Sequence, residues 1–480
     1  MMGKKKIVLP LIFLFFLFFT DKQLVCAQND PVVTVCIVNG RSDVVLSSTA
    51  GLKVIIDKKS YSVPAQEQLS FNASKTKVVW EERQMVSSSF RVTTQGKGFI
   101  LVNKRPYRGS FTLRNEQGNL VVINHLYLDD YIRGTIKMEI NPHWPEEAVK
   151  AQIITARTYA VKNLSRHREQ GYDFCASSHC QFYGGVNAED PINNKLIDSI
   201  KGFILTYQNQ PAGVCFHSES GGCTDSAFNV WGKNVPYLVS VLSPWENDSP
   251  HAQWEVEISS EELTQALQQA GFIQGSIVDV QVQPNSGKQR VSEFLIQTTL
   301  KKYRIPASKV REALGYDRLP STFFEMTPIN KTMIPAKPTP KPQVTLFPTP
   351  PVTAAKNLDS SDENPDYQEM LDKDWNLDDI FTFLRLREQE RQKSNSSRIK
   401  QPSPTKPIDE FEEKEALETL HHPETLYRNN SDYLFRGKGY GHGVGLSQWG
   451  ARGMAMEGYS YQEILLHYFP GCEIKKARFK

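Results

Sequence analysis

Leu128-Asp129-Asp130-Tyr131-Ile132-Arg133-Gly134-Thr135-Ile136-Lys137-Met138-Glu139-Ile140 is the stretch at which the chain changes its period. Leu128, Ile132, Thr135 and Glu139 fall on one helical stripe, beside Tyr131, Ile136 and Met138, so the spacing predicts a helix over 128–140. Upstream, short β-branched or aromatic runs (Val32 to Val38, Leu52 to Ile56, Phe99 to Val102, Leu120 to Ile123) are separated by Gly, Asn and Ser. Such runs between turn signals predict strands. Downstream, Pro145-Glu146-Glu147 opens a second helix, with an apolar stripe at Val149, Ile153, Ala156 and Ala160. Beyond Gly171 the pattern returns to strand and loop, with short helices expected at 261–269, 308–314 and 461–468. The fold class expected is α+β: a β-rich core with a few short helices, interrupted by a long disordered insertion.

Working outward, the chain of 480 residues divides by composition. Residues 1–27 have a basic start (Lys4 to Lys6), an apolar run (Ile7 to Phe19) and the small-residue end Val25-Cys26-Ala27. This is a signal-peptide pattern. The apolar run is too short for a membrane span of about 20 residues, so an uncleaved anchor is the lesser alternative, and Val25 and Gln23 fit a lipoprotein signal poorly. An exported protein of the periplasm or cell envelope is expected, touching membrane only through an uncleaved leader. Residues 28–125 read as an N-terminal β-rich part and 126–327 as the main core. Residues 328–430 are rich in proline and then acidic, the composition of a disordered insertion, either a tolerated surface loop or a recruiting segment. Residues 431–480 regain order.

With 39% hydrophobic and 23% charged residues, the chain is neither a polytopic membrane protein nor disordered throughout. The formal charge of +3 resides in the leader. The remainder lacks the basic surplus of a nucleic-acid binder.

Three constellations can carry chemistry. Glu139 stands between Met138 and Ile140. An apolar setting would raise its pKa and keep it protonated as a general acid, whereas an exposed or salt-bridged glutamate, paired with Lys137 or Arg157, would be inert. Cys215-Phe216-His217-Ser218-Glu219-Ser220-Gly221-Gly222-Cys223 places a histidine among hydroxyls and glycines, with no nucleophile-elbow context. Gly437-Lys438-Gly439-Tyr440-Gly441-His442-Gly443-Val444-Gly445, followed by Ser447-Gln448-Trp449-Gly450-Ala451, holds too many glycines for a routine turn and does not end as a phosphate loop. Backbone folded closely around a ligand, with His442, Gln448 and Trp449 supplying contacts, and tight structural packing both account for it. Cys175, Cys180, Cys215 and Cys223 are clustered. In an oxidising compartment close cysteines read first as disulfides.

At these places the sequence resembles the stage II sporulation protein D (SpoIID) family, also called the SpoIID/LytB domain. The resemblance covers about Val32 to Met326 and Tyr433 to Ile474. It is carried by Gly441 to Ala451, by Gly458-Tyr459-Ser460-Tyr461 to Tyr468-Phe469-Pro470-Gly471, and by Ala148-Val149-Lys150-Ala151-Gln152 with Ala156-Arg157-Thr158-Tyr159-Ala160. The insertion before the glycine-rich motif is a departure from the family.

The resemblance implies a peptidoglycan lytic transglycosylase that cleaves between N-acetylmuramic acid and N-acetylglucosamine, with Glu139 as the acid and 1,6-anhydro-muramyl ends as product. It implies sugar positioning by Tyr159, His217, Ser218, Ser220, His442 and Gln448, with Glu219 in a variable place. It also implies a structural zinc held by Cys175 and Cys180 with His167 or His179, which Cys215 and Cys223 could complete; two disulfides are the competing expectation. The partners expected are glycan strands and a cell-wall amidase. A non-catalytic wall-binding enhancer of an N-acetylmuramoyl-L-alanine amidase is the rival function, and an envelope scaffold is a third.

Overall fold

The computed structural model describes residues 30–177, 179–285, 290–329 and 432–477. The leader lies outside the described residues, as does the expected insertion except for its first two positions, Pro328 and Ile329, which close the strand Phe324–Ile329. The architecture is mixed α+β and strand-rich.

A seven-stranded sheet runs, in spatial order, through Phe174–Cys175, Val32–Arg41, Asn119–Tyr127, Ser110–Glu116, Ser89–Thr94, Leu52–Ile56 and Lys59–Val63. A six-stranded sheet contains Asp43–Ser48 flanked by Ile100–Val102 and Leu69–Ser74. Alternation along each strand turns one face inward. Val44, Leu46, Phe71 and Trp80 thus share a core with Val54, Phe90, Val92, Phe111 and Leu113. Phe71 meets Phe90 edge-on across the sheets, with centroids 5.2 Å apart.

Eight α-helices follow in chain order among the described residues: α1 Leu128–Ile136, α2 Glu146–Lys162, α3 Pro191–Ser199, α4 Ala227–Trp231, α5 Ser260–Gln269, α6 Ala307–Leu314, α7 Gln448–Met456 and α8 Tyr461–Tyr468. Helix α2 is buried on nearly every side, including Val149, Ile153, Ala156 and Ala160. It packs with α1, α7, α8 and both sheets in one continuous core, which spans the boundary expected at 125/126. A second core forms from Ile258, Leu263, Phe294, Val310, Phe324 and Phe435. It belongs to α5, α6 and two small antiparallel sheets, one of which pairs Trp254–Ile258 and Phe324–Ile329 with Asp432–Gly437.

The expected helix over 128–140 is shorter than its stripe. It stops at Ile136, and Met138 and Glu139 donate their N–H groups to Thr135 and Ile136 in tighter, three-residue turns. Pro142 removes a backbone donor and biases Asn141 away from helix, so the chain leaves the helical path at the glutamate. Three helices went unforeseen, the five-residue α4 among them. Helix α3 carries its own start signal, an Asp190 side chain that accepts from Ile192 and Asn193 with Pro191 in the first turn. Helix α7 was concealed by Gly450 and Gly453.

Candidate functional site

Glu139 stands in the turn after α1, between the buried side chains of Met138 and Ile140. The residue is half-buried, and burial alone raises its carboxyl to about 7. Among the described residues it makes no ion pair. Arg157, the candidate partner, is instead committed to Asp129: its Nε and Nη2 lie 2.9 and 2.8 Å from Oδ1, and Nη1 donates to the carbonyls of Ile200 and Phe203. The Ala-Arg-Thr-Tyr motif of α2 is therefore a staple among α1, α2 and the following strand. A desolvated carboxyl with no compensating cation favours its neutral form.

Two distant segments converge on this turn. Gln448, at the start of α7, donates from Nε2 to the Glu139 carbonyl at 2.8 Å. Phe216–His217 pairs in parallel with Leu446–Ser447, and the Trp449 N–H donates to the Ser218 carbonyl at 3.1 Å. Ser447 caps α7 by accepting from Gly450. Gly441 holds φ +121°, and a Cβ there would stand 2.7 Å from the His217 Cβ. Only glycine lets the Gly-His-Gly strap pass so close to the histidine.

The two histidines face each other with ring centroids 5.4 Å apart. His217 is buried and its Nδ1 donates to the Val444 carbonyl at 3.2 Å, while His442 accepts the Val444 N–H on Nδ1 at 3.0 Å. Burial, reinforced by His442 and Arg290, holds His217 well below the usual histidine range. Burial with Arg311 and Arg290 brings His442 down to about 4. Both rings are neutral near pH 7, so they present hydrogen-bonding and stacking groups but no charge.

Other expected residues lie apart. Ser220 is fully buried and its hydroxyl donates to Glu246 at 2.7 Å, alongside donors from Gly221 and Ser243. Ser218 remains half-buried beside α7. Glu219 is 1% exposed and faces the half-buried His251 at 3.2 Å, a contact that its place in the motif did not announce. Arg290 is also buried, donating to the Ser220 carbonyl. Tyr159 is half-buried, with its hydroxyl accepting from Arg166 at 2.6 Å, on the side of α2 that faces the cysteines. Glu246, His251 and Arg290 were missed because each is a single residue with no local pattern around it.

His167, Cys175, His179 and Cys180 form a cluster whose ligand atoms all lie within 4.8 Å of one another. His167 Nε2 is 3.2 Å from Cys180 Sγ, and His179 Nδ1 is 3.6 and 3.7 Å from the sulfurs of Cys175 and Cys180. Tetrahedral zinc with Zn–N of about 2.0–2.1 Å and Zn–S of about 2.3 Å has N···S edges of roughly 3.5 Å. The Cys180 thiol hydrogen-bonds Cys175 and lowers its pKa, favouring thiolate there. Such a His/Cys set can bind a metal such as zinc. Cys215 and Cys223 do not complete it: Cys215 is half-buried, with desolvation pushing its thiol up to about 11, and Cys223 bonds Thr224 and Ser240. All six described cysteines are free, so the alternative of two disulfides finds no bonded pair.

Comparison with known proteins covers part of this site. Residues 116–207, which hold the last core strands, the acid-bearing turn, α2 and the His/Cys cluster, match the model of the SpoIID family, stage II sporulation protein. This segment belongs to the SpoIID family. Beyond it, the chain is 31% identical over 194 residues to an uncharacterized protein of Brachyspira hyodysenteriae, covering 40% of this chain and 52% of that one. It is 25% identical over 346 residues to the amidase enhancer of Bacillus subtilis, covering 72% and 40%, and 30% identical over 161 residues to stage II sporulation protein D of the same organism, covering 30% and 47%. The chain thus spans about half the length of these curated relatives. No helix among the described residues is long and apolar enough to cross a membrane.

Proposed function

We propose that this SpoIID-type chain is an exported peptidoglycan lytic transglycosylase with Glu139 as its general acid and base. The observation that carries the proposal is a carboxyl raised to about 7 by burial, with no cation beside it. Such a group holds a proton near neutral pH and can give it to the oxygen linking N-acetylmuramic acid to N-acetylglucosamine. An oxocarbenium-like centre develops at the muramyl anomeric carbon as that bond breaks. The sugar's own 6-hydroxyl then closes on that carbon and returns its proton to Glu139, leaving a 1,6-anhydro end. Water is not consumed, so no second carboxylate is required. Gln448 fixes the acid's backbone, while His217, Ser218 and His442 border the cleft as neutral polar groups. Tyr159 and Ser220 act through packing, given the partners their hydroxyls already have.

The His167, Cys175, His179 and Cys180 set fits a structural zinc that would tie the end of α2 to the strand Phe174–Cys175. A second function draws support from the similarity to a protein named amidase enhancer over 72% of this chain: a wall-binding module that stimulates a separate amidase. Analysis of glycan ends separates the two. Anhydro-muramyl ends should accumulate with wild-type protein and fall at least about a hundredfold with Glu139→Gln. Equal yields from both proteins would exclude catalysis by Glu139 and leave the enhancer.

A further inference from the structure

Charge is divided unevenly along the chain. Residues 30–127, which build nearly all of the two large sheets, carry thirteen lysines and arginines against seven acids. The balance of the remaining residues conceals this surplus, and the strand directions decide where it lies. Arg41 stands opposite Leu120, Glu116 opposite Asn119, Arg114 opposite Ser89 and Ile56 opposite Lys59. In the other sheet Asp43 faces Asn72, Ser74 faces Lys77 and Val102 faces both Leu46 and Arg105. The turns Arg41-Ser42, Asp57-Lys58, Lys75-Thr76, Asn103-Lys104 and Gln117-Gly118 therefore all point to one end of the paired sheets. Hydrogen bonds join the tips there: the Ala73 N–H donates to the Ser42 carbonyl at 2.7 Å, and the Asn115 side-chain amide to the Lys77 carbonyl at 2.9 Å.

This end presents Arg41, Lys58, Lys59, Lys75, Lys77 and Lys104, with all five lysines exposed. Among the described residues none of the six makes an ion pair. Of the acids nearby, Glu116 is spent on Arg114 at 2.7 Å, which leaves Asp43 and Asp57. The opposite end holds Glu67, Glu81 and Glu82 with Arg83 and Lys97, so charge is segregated along the strand axis. The backbone shows that these lysines are not default occupants. A two-residue hairpin turn needs positive φ, for which glycine is the unstrained choice. Gln117-Gly118 follows that rule, with its glycine at φ +88°. Lys58 and Lys104 take the same corner at φ +69° each, and Lys75 holds φ +50°. Three turns at this end thus accept left-handed strain and project an ammonium group.

We propose that this end of the paired sheets is a docking surface for a phosphodiester-linked polymer of sugars or polyols. An ammonium group binds phosphate as a point charge from any direction. Cations spread over two layers about 10 Å apart suit an extended polyanion better than a single small one. No apolar side chain stands at any of the five tips, so the surface offers charge without a wedge for a bilayer. The surface goes beyond the reaction proposed at Glu139 and does not depend on it: it tethers the chain to an anionic envelope polymer.

Equilibrium binding of the full chain to poly(glycerol phosphate), from about 50 to 200 mM salt, tests this. Affinity should fall steeply across that range, because binding releases counterions from the phosphates. Lys58→Gly combined with Lys75→Gly and Lys104→Gly should bind at least about tenfold more weakly and reduce the log–log salt slope by about 2. The same variant should melt no lower than wild type, since glycine relieves the left-handed corners. Lys97→Gly, at the opposite end, should bind as wild type does. Undetectable binding by wild type, an unchanged affinity in the triple variant, an equal loss in Lys97→Gly, or tighter binding to phosphatidylglycerol vesicles than to the polymer would overturn the proposal. Because no glycan cleavage enters the readout, failure here leaves the assignment of Glu139 standing, and failure of the anhydro-end assay leaves this surface standing.

Discussion

At the scale of the residue, the proposed chemistry depends on how Glu139 keeps its proton. Its carboxyl is raised by burial to about 7, and no neighbouring charge contributes. The rate should therefore be flat at acidic pH and fall tenfold per unit above pH 7, a single descending limb without the second arm that a paired carboxylate would add. The same burial costs stability. Between about 4.5, its ordinary value, and 7 the folded chain binds the proton that the unfolded chain releases, so stability declines as pH rises through that window and levels off above it. The loss from this group is up to about 3 kcal/mol. Glu139→Gln should remove that decline and melt higher than wild type at pH 8, by contrast with its loss of activity. Thermal unfolding of both proteins from pH 4 to 8 measures the difference, and parallel profiles would show the carboxyl to be solvated.

At the scale of the element, α2 and the turns at its two ends organise the site. Arg157 is fully buried against Asp129 and two carbonyls. Arg157→Ala leaves Asp129 charged in the core, which should destabilise the chain by about 3–5 kcal/mol. Arg157→Ala with Asp129→Ala should cost less than Arg157→Ala alone, a comparison that denaturant melts of the two variants make directly. At the other end of α2, zinc in the His/Cys cluster would join His167 to the strand bearing Cys175. Purified protein should hold about one equivalent of zinc, and chelation should lower the melting temperature by about 5 °C or more. Metal analysis with melting before and after chelation checks this, and loss of two mass units in a Cys175–Cys180 peptide would point to a disulfide instead.

These elements also mark what sequence can reveal. The His/Cys set came from the family resemblance, since by spacing alone its cysteines read first as a disulfide, whereas α2 was visible because its stripe is strong. The end of α1 was not, since the stripe carries through Glu139 while Pro142 sets the stop from outside it. Helix α7 has Gly450 because a Cβ there would sit 2.0 Å from the Tyr468 hydroxyl and 2.3 Å from that of Ser243. This tertiary demand overrides helix propensity. Glu246, His251 and Arg290 join segments far apart in the chain, so nothing local distinguishes them.

At the scale of the whole molecule, the glycine-rich strap and α7 must return to the Glu139 turn and the strand Phe216–His217, which lie several hundred residues earlier. The geometry that allows this is the pairing of Phe324–Ile329 with Asp432–Gly437, in which Ile329 stands opposite Asp432. The two ends of residues 330–431 thus leave and re-enter the sheet side by side, as the arms of a hairpin do. A connection of a few turn-forming residues satisfies that register, whatever the intervening segment contributes. Replacing 330–431 with Asn-Gly should leave the second core, the strap and the Glu139 turn in place. The shortened chain should produce anhydro-muramyl ends within about twofold of wild type. It should also be more stable, because loop-closure cost falls by about 0.6 kcal/mol with each halving of a flexible loop. Glycan-end analysis and denaturant melts of the shortened chain provide the check. Lost activity with an intact melt would assign 330–431 a part in the reaction, whereas unchanged activity with lost amidase stimulation would make it the recruiting arm.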